Sequence, residues 1–212
     1  TAFQAGVQLA NRMGALNNIE FSEFVVKTQA FADAVGGTPS FSDMLEEVAR
    51  ARELDQFASV HDAQLSFTLC ARSAAWSPGY IQQHAGRLGF VPGVMPGRMV
   101  LPAAEQGLPP VLALTFDSHA ALADDPALSA IRSFALSLDV PQTGREDEPF
   151  TRLREAAHLL AEAMDGVITD GEGQTLSADA LDQIGSDLQQ LYDALDAREL
   201  SAGSPQARRL FS

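Results

Sequence analysis

Cysteine is almost absent. Cys70 stands alone among 212 residues, which excludes an intramolecular disulfide framework and any multi-thiolate metal site, and fits a reducing compartment. Positive charge is scarce. Fourteen Lys and Arg face 28 Asp and Glu, a formal net charge of −14. A nucleic-acid surface needs clustered cations to displace counterions, and an anionic membrane surface needs the same. A basic peptide or protein is electrostatically welcome. No apolar run reaches the ~18 residues of a membrane span, and no signal peptide is visible. The chain opens on Thr1 rather than Met, which reads as a fragment whose anchor lay upstream.

Catalytic signatures are missing too. There is no glycine-rich phosphate loop and no serine elbow. Asp170-Gly-Glu-Gly lacks the spacing and terminal Glu of a calcium loop and reads as a tight turn. His61, His84, His119 and His158 are scattered. His84 lies beside the apolar stripe Ile81, Ala85, Leu88 and reads as a boundary residue. His119, near Asp117, Asp124 and Asp125, reads as part of a solvated loop. Cys70 falls mid-strand without a basic neighbour to lower its pKa. Trp76 reads as an apolar cover at a helix entry. The expectation is a non-enzymatic protein without cofactor or metal.

What is present is a globular pattern, 46% hydrophobic and long enough for one large or two small domains. Its clearest stretch is Phe150–Leu176. Phe150, Leu153, Ala157, Leu160, Ala161 and Met164 share one helical face, and Arg152, Glu155, Glu162 and Asp165 take the other. Glu146-Asp147-Glu148-Pro149 suits a helix start, and Asp165-Gly166 suits a glycine cap. Val167-Ile168 and Thr175-Leu176 flank Asp170-Gly171, a hairpin signal. A last helix starts near Ser177 with Leu181, Ile184, Leu188, Leu191 and Leu195.

Upstream, Leu65, Phe67 and Leu69 alternate with Ser66, Thr68 and Cys70. Ser77-Pro78 opens a helix that Gly89 ends. Phe90–Pro102 and Pro109–Asp117 read as strands, the first broken by Pro92, Gly93, Pro96 and Gly97. Asp124-Asp125-Pro126 starts a short helical turn, and Ser133–Val140 is a further strand. The order is α+β, an antiparallel sheet with helices packed on one face. The other face would present Ser66, Thr68 and Cys70, Ala113, Thr115 and Asp117, and Ala135, Ser137 and Asp139. Small flat residues there mean either a plain solvated sheet or a surface that something lies across.

Residues 1–59 resemble the second half of the same pattern. Residues 4–10 alternate like a strand. Phe21, Phe24, Val25, Thr28, Phe31, Ala32 and Val35 mark a helix stopped by Gly36-Gly37. A second helix spans about Asp43–Phe57 on Leu45, Val48 and Ala49. At a constant offset of 129, Val7 meets Leu136, Phe21 meets Phe150, Phe31 meets Leu160 and Gly37 meets Gly166. The expected organisation is a half repeat at 1–59, a whole copy at 62–199 and a mobile tail at 200–212.

This order, with His158-Leu-Leu-Ala-Glu-Ala-Met-Asp-Gly-Val-Ile168, a hairpin and an Ala178–Leu195 helix, resembles the C-terminal domain of the bacterial cell-division protein ZipA. Further echoes are the Ile81–Gly93 segment, Asp125-Pro126 before the fourth strand, and Val140-Pro141 before the long helix. The resemblance covers about 62–199. It implies an adaptor on the cytoplasmic face of the bacterial inner membrane. Such an adaptor binds the C-terminal tail of FtsZ, the tubulin-like ring protein, on its open sheet face. The family's membrane anchor is an N-terminal helix absent here. The peptide-binding positions it implies are Ser66, Thr68, Met95, Met99, Ala113, Thr115, Ala135 and Ser137. ZipA lines its groove with Met and Phe, whereas the matching fourth-strand position here is Ser137. Losing one large apolar contact costs roughly 1.5–3 kcal/mol, about ten- to a hundred-fold in affinity. The alternative is a ZipA-like scaffold that has lost tail binding and turns this face to the other repeat or another protomer.

Overall fold

The computed structural model describes residues 2–125 and 128–212. Pro126, part of the expected helical turn, lies outside them. The described chain forms two compact units: residues up to Asp62 together with Pro205–Ser212, and Ala63–Ser204.

The first unit is mostly helical. Helix α1 spans Asn18–Val35 and α2 spans Met44–His61. Asn17 and Glu20 form a reciprocal capping box at the start of α1, satisfying N–H groups that the helix itself cannot. Gly36, in the left-handed region at φ 67°, ends it. Asp43 caps α2 by accepting from the Leu45 and Glu46 N–H groups. Two short strands, β1 Ala10–Asn11 and β2 Gly14–Ala15, pair antiparallel. Phe21, Leu16 and Ala51 form the small core.

Three expectations fail in this unit. Residues 4–10 do not form a strand, for only Ala10 enters the β1–β2 pair. The alternation is there, but the β1–β2 pair reaches back only to Leu9, whose carbonyl accepts from the Leu16 N–H at 2.7 Å, and residues 4–8 lie in no strand ladder. On α2, Leu45 and Ala49 are exposed while Val48, Ala51 and Ala58 are buried, so the packed face lies beside the expected one. The tail carries structure of its own. Pro205–Leu210 is a helix, α7, and Ala207, Leu210 and Phe211 are buried.

The second unit is built on a six-stranded antiparallel sheet. Its strands are β3 Gln64–Ala71, β4 Val91–Pro92, β5 Arg98–Leu101, β6 Leu112–Thr115, β7 Ser133–Asp139 and β8 Gly166–Thr169. Their spatial order is β4-β5-β6-β7-β3-β8. Helices α3 Pro78–Arg87, α4 Ser118–Leu122, α5 Pro149–Ala163 and α6 Ala178–Asp196 complete it. Phe67, Leu69, Leu112, Leu114, Phe134, Leu136 and Leu138 from the strands share one core with Ile81, Leu153, Leu160, Leu181 and Leu188 from the helices. The fold class is therefore α+β, with one sheet face buried under helices.

Local chemistry sets the joints. Ser77 accepts from the Tyr80 N–H at 3.2 Å, with Pro78 at the first helical position of α3. Trp76 does more than cover an entry: its indole N–H donates to the Met164 carbonyl at 2.8 Å, at the end of α5. The left-handed residue closing α5 is Asp165, φ 51°, and Gly166 already belongs to β8. In the turn after β8, the Asp170 carboxylate accepts from the Glu172 and Gln174 N–H groups, each at 2.9 Å. That side chain mimics a backbone turn. Asp117 likewise caps α4 through the His119 N–H at 2.8 Å, a short helix that lies ahead of the expected turn at Asp124.

Candidate functional site: the open face of the sheet

Pairing register decides which side chains meet on the open face, because side chains alternate along every strand. Ser66 lies opposite Ser137 and Thr68 opposite Ala135. Ser137 lies opposite Ala113 and Ala135 opposite Thr115. The next strand adds Val100 beside Ala113 and Arg98 beside Thr115. Val91 meets Val100 at one edge, and Thr169 meets Thr68 near the other. Two parallel rows result. One runs Val91, Val100, Ala113, Ser137, Ser66; the other runs Arg98, Thr115, Ala135, Thr68, Thr169.

Six of the eight expected positions therefore come together: Ser66, Thr68, Ala113, Thr115, Ala135 and Ser137. The two methionines do not join them. Met99 pairs with Leu114, points into the core and is 3% exposed. Met95 is 60% exposed but lies in the turn between β4 and β5, outside either strand. Their spacing of four would share a face in an unbroken strand. Pro96-Gly97 breaks it. Gly97 sits at φ +74°, where an added Cβ would come within 2.5 Å of the Phe116 carbonyl oxygen, so only glycine allows that approach. Arg98 and Val100 take the places given to the methionines. The signal for this was Arg98 itself, since a cation next to Met99 can only belong to the watery face.

The face is shallow. A hollow of about 350 Å³ lies over Ala113 and Ser137 between Pro109, Pro110, Gln142 and Thr143, with Arg98 and Asp139 at its sides. Ser137 Oγ reaches the Ala113 carbonyl at 3.5 Å, and Thr169 donates to the Thr68 carbonyl at 3.2 Å. Cys70 Sγ lies 3.8 Å from Thr169 Oγ1. No charged group is among those partners. Among the described residues no three His, Cys, Asp or Glu side chains converge as metal ligands. β3, β5, β6 and β7 each have a strand on both sides, β3 beside β8 over Thr68–Ala71. A ligand here is held by side chains and shape, not by addition to an interior strand.

The chain matches no family model and no curated protein. No helix among the described residues is long and apolar enough to cross a membrane.

Proposed function

We propose that this chain is a non-enzymatic adaptor. Its second unit receives the C-terminal tail of FtsZ across the open sheet face. It thereby helps tether or stabilise the division ring at the cytoplasmic face of the bacterial inner membrane, with membrane attachment supplied by an anchor outside this sequence. The resemblance of residues 62–199 to the ZipA C-terminal domain supports this reading, which is an argument by analogy of fold. The observation that carries it is that the register joins Ser66, Thr68, Ala113, Thr115, Ala135 and Ser137 into a contiguous two-row belt across the open face. Val91 and Val100 give the belt an apolar end, and Arg98 and Asp139 give it charges of both signs.

Titrating a labelled FtsZ tail peptide into the chain by fluorescence anisotropy tests the reading. Saturable binding that weakens with salt and is lost in Ser137→Arg is expected. Absence of binding at high micromolar protein would overturn it. The shallow floor of Ala113, Ala135 and Ser137 favours the second reading, a scaffold of the same fold whose tail site has decayed. Large apolar anchors dominate peptide affinity, and this floor has none.

A further inference from the structure

The belt on the open face has a gap at one corner. Its second row runs out to Thr169 on β8, but its first stops at Ser66 on β3. The cause is length. β3 spans Gln64–Ala71, while β8 pairs only with Thr68–Ala71. Beyond Thr169 the chain turns away, the Asp170 N–H donating to the Gln174 carbonyl at 2.9 Å. Over Gln64–Phe67, β3 is therefore an edge strand on that side.

The ladder decides which backbone groups face the gap. Along an antiparallel strand, successive residues send their N–H and carbonyl to opposite neighbours. The Ala71 N–H donates to the Arg132 carbonyl at 2.8 Å, and the Ala63 carbonyl accepts from the Val140 N–H at 3.0 Å. Odd residues of β3 thus serve β7. One step beyond the other ladder, the Arg72 N–H donates to the Asp165 carbonyl at 3.1 Å, so even residues serve β8. Thr68 and Cys70 meet Thr169 and Val167 there. Gln64 and Ser66 do not: among the described residues no backbone group pairs with theirs on that side. Both residues are exposed. Unpaired N–H and carbonyl groups in a row are a template for another strand.

Resting on the reading that the FtsZ tail lies across the open face, we infer that the tail ends its crossing at this edge. A few of its residues add there as a strand in line with β8 and pair with Gln64 and Ser66. The surroundings define that stretch. Leu65, between the two, turns to the helix side and packs on the core while only partly buried, so the tail residue opposite it is apolar. Asp139, across from Gln64 on β7, and Asp170, directly after β8, supply negative charge. The tail residues on either side of the apolar one are accordingly neutral or basic. Added in this place, the strand completes the first row beside Ser66 and is continuous with the belt.

The test uses the full chain and the labelled FtsZ tail peptide. Amide exchange followed by NMR should find Gln64 and Ser66 fast in the chain alone and at least about tenfold slower at saturating peptide, whereas Thr68, already paired, is slow in both. Ser66→Pro deletes an N–H that the sheet does not use. It should bind about three- to tenfold more weakly than Ser66→Ala, the worth of one backbone hydrogen bond. Gln64→Pro against Gln64→Ala, at the first residue of the strand, serves if Ser66→Pro does not fold. No anisotropy change at high micromolar protein would overturn tail binding and this inference together. Binding that leaves both amides fast, or that is equal in the Pro and Ala variants, would overturn this inference alone and leave the tail on the face. Protection of the two amides that rises with protein concentration in the absence of peptide would overturn it as well, by giving the edge to a second copy.

Discussion

Tyr192 is buried at 4% exposure on α6, and its hydroxyl has no hydrogen-bond partner among the described residues. The Arg145 guanidinium stands 5.3 Å from the ring centroid and bonds Gln189 and Asp193 on the same helix. Burial pushes the phenol above its ordinary value of 10.0, and the Arg145 charge offsets this only in part. An unpartnered buried hydroxyl costs about 1–3 kcal/mol. Tyr192→Phe should therefore leave the protein equally stable or about 1 kcal/mol more stable in urea unfolding. The sign of the pH effect follows from the raised value. The folded state holds the phenolic proton more tightly than the unfolded chain does. Stability is full below pH 10 and falls as the pH rises through the folded-state value. Tyr192→Phe should remove that alkaline loss; an unchanged alkaline limb would show that another group causes it.

At the scale of elements, the phase of β5 is the informative case. Met99 is in register with Leu114, and Leu101 with Leu112. Both partners sit in the core, so one strand's phase dictates its neighbour's. Met99→Ala should cost about 2–5 kcal/mol, the range for emptying a packed core site. Met95→Ala, in the exposed turn, should stay within about 0.5 kcal/mol. Urea midpoints of the two variants decide it, and equal midpoints would contradict the register. The helices were legible for local reasons. Ser77, Asp43 and Ser177 each accept from a backbone N–H at the start of their helix, and capping needs only neighbours in sequence. The methionines were misplaced because their facing depends on a break at Gly97 that a partner strand enforces.

For the whole molecule, the two units imply separable stabilities. The C-terminal segment belongs with the first unit. There the Arg12 N–H donates to the Ser212 carbonyl at 3.2 Å and Gln8 donates to the Arg209 carbonyl. Arg12 also holds Asp62 in a two-point ion pair at 2.6 and 2.9 Å. Deleting 205–212 should strip hydrogen-exchange protection from α1 and α2 while β3 and β7 keep theirs. Uniform loss across both units would show one cooperative block instead.

The sequence by itself determined helices α1, α2, α3, α5 and α6, the alternation of β3, β6 and β7, and thereby the α+β class and six of the eight positions on the open face. Those features rest on periodicity and on contacts between residues close in the chain. Tertiary structure alone decided three things. It turned Met99 inward, because Leu114 on the next strand is buried. It ordered the C-terminal helix, because Leu210 and Phe211 find cover that no local pattern announces. It left residues 4–8 outside any strand, because alternating side chains make a strand only where a neighbour supplies the other half of the hydrogen bonds.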